Sequence, residues 1–214
     1  MKKKEWFIIV SLLLLSSCEQ PDRAAVDMDD LTTLKKEFLQ QILSSNVDEG
    51  PFTFNYKFRT TFFSKEVVSL FGELAAHDRL PHGWRYYEGK TFCMINNQQK
   101  EVFLNDLFQT HEQREFLRQI CEKSLKKEPV SYFSGCNPLR ETLTQDDIQN
   151  FVVDDSHLII IFQPYTVGGG ADGPFIVKIP FTDLQGHWEA SHPLSILIRK
   201  AVDACAFTSS WDQK

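Results

Sequence analysis

The chain has 214 residues, 42% of them hydrophobic and 18 of them Phe, with 23 Lys and Arg against 29 Asp and Glu and a formal charge of −6. That apolar content excludes disorder and is enough for the core of one domain or two tightly packed lobes. The acidic balance argues against nucleic acid or an anionic lipid surface as partner, and fits a basic partner or plain solubility.

Lys2, Lys3 and Lys4 precede an apolar run of 10 residues from Trp6 to Leu15, followed by Ser16-Ser17-Cys18. A membrane-spanning helix needs roughly 20 apolar residues. The order of charged, apolar and small residues instead predicts a signal peptide over residues 1–17. Leu15 three places before Cys18, with a small residue just before it, has the form of a bacterial lipobox. Cys18 is therefore the expected lipidation site, and several acyl chains would hold the protein to a membrane stably. An ordinary signal peptide cut elsewhere is the other reading. Residues 18–27 are polar and read as a tether. Glu19, where an Asp would favour retention in the inner membrane, points to a periplasm-facing lipoprotein of the outer membrane. Cleavage removes three Lys and one Glu, leaving 20 basic and 28 acidic residues and a charge of −8.

A folded domain is expected over 28–214, with an N-terminal half at about 28–130 and a C-terminal half at about 131–214. Leu31, Leu34, Phe38, Leu39 and Ile42 recur at helical spacing and predict an amphipathic helix from Met28 to Leu43. From Phe52 the pattern alternates strictly. Phe52, Phe54, Tyr56, Phe58 and Phe62 are expected on the core face of a strand, with Thr53, Asn55, Lys57, Arg59 and Thr61 opposite. Strands are predicted at 66–75, 84–95 and 100–104, the last two forming a hairpin across Asn96-Asn97-Gln98-Gln99. Thr110-His111-Glu112-Gln113 fits a capping box opening a helix to about Lys126. A short helix at 144–150, strands at 158–162 and 175–179, and a helix at 193–205 complete the prediction. Such an order, without regular strand–helix–strand alternation, indicates an α+β fold: an antiparallel sheet with helices packed on it.

Four cysteines follow Cys18, namely Cys93, Cys121, Cys136 and Cys205. Cys121 and Cys136 are the disulfide pair to consider first; unpaired thiols acting as small buried hydrophobes are the alternative. No spacing suggests a metal site, and none of the motifs calls for a cofactor. His77 and His82, like His187 and His192, are five apart, where helical ligation wants four, and neither pair has a metalloprotease Glu. The run from Gly168 to Gly173 lacks the Lys-Ser/Thr of a phosphate loop. Asp146-Asp147 and Asp154-Asp155 sit where acidic residues stabilise a helix start and a turn. No catalytic signature emerges, so a non-enzyme is expected.

The segment FVVDDSHLIIIFQPYTVGGGADGPFIVKIPFTDL, residues 151–184, combines Phe162-Gln163-Pro164-Tyr165, a Gly-rich loop ending at Gly173-Pro174, and an alternating strand into Ile179-Pro180-Phe181. It resembles the C-terminal half of the RsiV/PdaC-like extracellular domain family. Val67 to Phe71, Lys100 to Phe108 and the helix behind them resemble the N-terminal half. The family's Gly-Gly-Ala-His-Gly turn is matched only at His82-Gly83. The resemblance implies a two-lobed α+β domain, which in one branch is the lysozyme-binding sensor of an anti-sigma factor and in another accompanies a peptidoglycan deacetylase. Neither a sigma-binding segment nor a deacetylase domain is expected in these 214 residues. The implied function is a non-catalytic binding domain on a membrane-anchored lipoprotein. Lysozyme is the first candidate partner, before another envelope protein or a glycan, and Tyr165, Gly168, Gly169, Gly170 and Asp172 form the expected contact loop. A peptidoglycan-modifying hydrolase and an envelope-assembly lipoprotein acting by protein contacts are the alternatives.

Overall fold

The computed structural model describes residues 32–33, 35–38, 40, 53–77, 84–96, 98–126, 142–164, 166–167, 174–195, 197 and 199–200. The signal peptide, Cys18 and tether, Cys136 and Cys205, and the loop residues Tyr165, Gly168, Gly169, Gly170 and Asp172 lie outside them. Among the described residues, no helix is long and apolar enough to cross a membrane.

Two antiparallel sheets carry the architecture, as the α+β expectation required. The first has the order β1 (Thr53–Phe63), β2 (Val67–His77), β3 (Trp84–Ile95), β4 (Gln98–Val102). The second has the order β5 (Phe151–Val153), β6 (His157–Phe162), β7 (Phe175–Pro180). Each connection within the first sheet joins sequence neighbours, the meander expected of short antiparallel links. Ile95 pairs with Gln98, so the last hairpin turns in two residues, with Asn96 at φ 53. Asn is one of the few side chains that tolerate that left-handed region, which tight hairpin turns require.

Alternation gives the first sheet two different faces. Val68, Leu70 and Leu74 of β2 point one way and are buried with Phe38 from the N-terminal helix, α1, whose described residues are 32, 33, 35–38 and 40. The Phe38 and Phe58 rings meet at 5.4 Å. Burying each such Leu contributes about 1.5–3 kcal/mol. Lys90 lies on this face too, 5% exposed, with Nζ 2.5 Å from the Glu101 carboxylate and above the Phe38 ring. The ion pair is what lets a Lys sit in the core.

The expected aromatic core stripe of β1 needs correction. Tyr56 is 55% exposed, although its ring lies 5.7 Å from that of Phe58. The pairing also slips between Thr60 and Phe62, so that Phe62 pairs with Ser69. A bulge inserts one residue and flips everything beyond it to the other face. Phe62 thus leaves the side of Phe58 and packs against the largest core cluster.

The opposite face of the first sheet receives the second sheet. Phe71 and Tyr87 are buried there against Val152, Ile159 and Ile161. The far side of the second sheet, with Phe151, Val153, Leu158, Ile160, Phe162, Val177 and Ile179, packs into one cluster with helices α2 (Leu104–Leu107) and α3 (His111–Leu125). A sheet covered on both faces demands a continuous apolar strand, which is why β6 reads His-Leu-Ile-Ile-Ile-Phe. Helix α3 starts as expected: Thr110 Oγ1 accepts from Gln113 N at 3.2 Å, and Gln113 Oε1 accepts from Thr110 N at 2.9 Å.

Polar stitches register the sheets. Ser69 and Thr91, both fully buried, share a hydrogen bond of 2.9 Å, and Val153 N donates to Ser69 Oγ at 2.9 Å. Burial without such partners would cost several kcal/mol. Asn150 and Gln163 bond the backbone of Tyr87 and Gly89 from the other side.

Candidate functional site

The sheets cover one another only in part. Where β7 overhangs the face of β1 to β3, an open groove of about 460 Å³ remains. Its floor follows from the register. Lys57, Glu73 and Tyr87 stand side by side across β1, β2 and β3, Arg59 and Phe71 lie one row along, and Arg85 lies one row the other way. Pro174 and Ile176 form the β7 wall. Ile176 is 37% exposed, and alternation places Lys178 on the same face of β7. Lys57 and Arg59 belong to the polar face that alternation alone assigns to solvent, whereas this face meets the second sheet.

Among the described residues, three cations and one carboxylate line this groove in a chain that is acidic overall. The Arg59 guanidinium carbon lies 4.5 Å from the centroid of the Phe71 ring, a cation–π contact that holds the cation over this floor. Arg85 is fastened differently. The Tyr87 side chain, through hydrogen bonding and then charge, and after it the charge of Glu73 3.9 Å away, raise the guanidinium above its already high ordinary value. Among the described residues, Lys57 and Arg59 make no ion pair.

Other clusters do not assemble into chemistry. Asp154, Ser156 and His157 carry the side chains of a catalytic triad, but Ser156 Oγ and Asp154 Oδ1 both contact the same imidazole atom, His157 Nδ1, at 2.9 and 3.1 Å. A triad needs the carboxylate and the hydroxyl on opposite ring nitrogens. The group is instead the β5–β6 turn. Burial pushes the Asp154 carboxyl up, but the N–H groups of Ser156 and His157 outweigh it and hold the group below its ordinary value. Two histidines near the end of the described residues make local contacts. His187 is exposed and stacks on Phe116, and His192 Nδ1 accepts from Leu194 N at 3.2 Å. Asp147 Oδ2 accepts from Thr144 N and Oγ1, fixing the entry to the 3-10 turn Asp146–Ile148. No three metal-ligating side chains converge among the described residues.

Cys93 and Cys121 are free, fully buried thiols, and burial pushes both up to about 12. The pairing of Cys121 with Cys136 involves a residue outside the described set. Almost no thiolate exists at such sites near neutral pH, so alkylation should label Cys93 and Cys121 only after unfolding. Mass mapping with denaturant but no reductant checks this. Labelling of Cys121 only once reductant is added, together with a linked Cys121–Cys136 peptide in the unreduced map, would establish that pair instead.

Comparison with known proteins places part of this architecture. Residues 105–182 match the DUF3298 family, described as a protein of unknown function. The DUF3298 segment runs from α2 through α3 to the end of β7, so it supplies Pro174 and Ile176 to the groove, while β1 to β3 precede it. A solved DUF3298 family member from Bacteroides fragilis NCTC 9343 is similar, with 15% identity, a TM-score of 0.54 and coverage of 85% of this chain and 74% of that one. A second DUF3298 protein, from Pseudomonas aeruginosa PAO1, aligns at 14% identity and a TM-score of 0.50 over 71% of this chain and 68% of its own. At these identities the likeness establishes the fold. The first alignment extends well beyond the DUF3298 segment. No curated protein matches the sequence.

Proposed function

We propose that this chain is an envelope lipoprotein, anchored through Cys18, whose folded domain binds its ligand without transforming it. The carrying observation is the inventory of the groove. Guanidinium and ammonium groups hold charge but do not exchange protons readily near neutral pH. The single carboxylate among the described lining residues, Glu73, pairs with Arg85 at 3.9 Å. Such a lining retains a ligand; among the described residues it holds neither the paired acid and base nor the activated nucleophile of a hydrolase.

The finer kinship, with the RsiV/PdaC-like domains, names the first partner to try. A strongly basic muramidase would be drawn to a mature chain of charge −8 by complementary fields. Calorimetric titration of residues 19–214 with purified lysozyme, at low and at physiological salt, is expected to give saturable one-to-one binding that survives the salt. Parallel loss of lysozyme activity would make the domain an inhibitor. Binding that physiological salt abolishes would remove lysozyme as the partner and leave other envelope components to be tested.

A further inference from the structure

We infer that the groove between β1–β3 and β7 is a binding site for a monoanionic carboxylate carrying an apolar group, such as the terminus of a peptide ending in a hydrophobic residue. The inference rests on the reading of the domain as a binding module and adds the chemistry of its ligand.

Charge selects an anion. Lys57 and Arg59 are two residues apart on β1 and share a face, which sets their Cα atoms about 6.6–6.8 Å apart. Arg59 is held over Phe71, and a guanidinium can offer two parallel N–H groups to a carboxylate, the geometry in which it binds best. Glu73, directly across the strand pair from Lys57, sets the upper limit on negative charge. A dianion would meet its repulsion, whereas a single carboxylate held on the β1 side need not.

The rest of the lining selects the remainder of the ligand. Phosphate sites recruit backbone N–H groups from helix starts or glycine-rich turns, and among the described residues the lining is made of strand positions and Pro174. The N–H groups of β2, which forms the middle of this floor, are committed to ladders with β1 and β3. A sugar needs partners for its hydroxyls, and among the described residues the lining includes no Ser, Thr, Asn, Gln or Asp. What the described lining offers beside the charges is Phe58, Phe71, Tyr87, Pro174 and Ile176, an apolar slot. Its volume is within the range typical of small-ligand pockets.

The test titrates the mature chain, carrying Cys18→Ser to leave it unacylated, while its backbone amide NMR signals are followed. The probes are N-acetyl-Ala-Ala-Phe as the free carboxylate, the same peptide as the carboxamide, 3-phenylpropionate and inorganic phosphate. The peptide carboxylate is expected to saturate and to shift signals of residues 57–59, 71–73, 85–87 and 176. The carboxamide should bind at least about tenfold more weakly, a difference near 1.4 kcal/mol. Arg59→Gln and Lys57→Gln, both at exposed side chains, should each weaken the carboxylate several-fold, and Glu73→Gln should relax the discrimination against phosphate. Equal binding of peptide and phenylpropionate would identify the source as any apolar acid; binding of the peptide alone would identify a chain terminus. Equal affinity of carboxylate and carboxamide, shifts away from the groove, preference for phosphate, or no binding up to about 10 mM would overturn the inference. Should one of those results overturn this site, lysozyme or envelope binding that persists would leave the binding-module reading standing.

Discussion

Gly89→Ala is expected to destabilise the domain by about 3–5 kcal/mol, the larger part from overpacking and the rest from a lost buried hydrogen bond. A Cβ at Gly89 would lie 2.4 Å from the Phe151 carbonyl oxygen, 2.7 Å from its carbon and 2.6 Å from Val152 Cγ1. The first two are backbone atoms of β5, which cannot rotate aside as a side chain would. Strand β5 would have to withdraw from β3, and with it would go the 2.7 Å bond from Gly89 N to Asn150 Oδ1. Val152, packed against Phe71 and Tyr87, would be lifted from its cluster as well. In urea, with a slope of about 2 kcal/mol per molar for a domain of this size, the midpoint should fall by roughly 1.5–2.5 M. A loss below about 1 kcal/mol would mean that the sheets do not approach at Gly89 as described.

That contact marks the boundary of what the sequence alone makes legible. The long elements announce themselves. Strand β3 runs from Trp84 to Ile95 as its pattern predicts, and the capping box of Thr110 and Gln113 opens α3. These signals are local: alternation and a cap each need only a few neighbouring residues. Strand β5, three residues long, and α2, a single turn, are too short for any periodicity to be read. The bulge at Thr60 and Phe62 is invisible to alternation, because a regular strand and a bulged one can carry the same residues. The groove was hidden for the same reason at larger scale. Lys57, Arg59, Phe71, Tyr87 and Arg85 become neighbours only once the registers of three strands are fixed. The one available signal was two cations alternating on β1, and a cationic strand face usually means solvent.

The second large effect is expected where β3 outruns its partner. Strand β4 pairs with residues 91–95 only, so on that side the backbone of Tyr87 and Gly89 has no strand beside it. Two side-chain amides take the strand's place, each bringing one acceptor and one donor. Gln163 Oε1 accepts from Tyr87 N at 3.0 Å, and its Nε2 donates to Tyr87 O. Asn150 Oδ1 accepts from Gly89 N, and its Nδ2 donates to the same Tyr87 O at 2.9 Å. Asn150→Ala and Gln163→Ala should each orphan one backbone N–H at a cost of about 1–3 kcal/mol. The carbonyl of Tyr87 keeps one donor in either single variant and loses both only in the double variant. The double variant should therefore lose more than the two singles combined, by about 1 kcal/mol or more, opposite to the additivity of independent sites. Asn150→Asp separates the two roles, since a carboxylate can still accept from Gly89 but faces the Tyr87 carbonyl with no proton to donate. It should destabilise the fold as much as alanine does or more, despite its nearly identical shape. Because these amides fix the strand that presents Tyr87 and Arg85 to the groove, Gln163→Ala should also weaken carboxylate binding under conditions where the variant remains folded. Urea unfolding of the four variants, with the carboxylate titration repeated on Gln163→Ala, decides the point; strict additivity with unchanged binding would mean that the amides neither share Tyr87 nor support the groove.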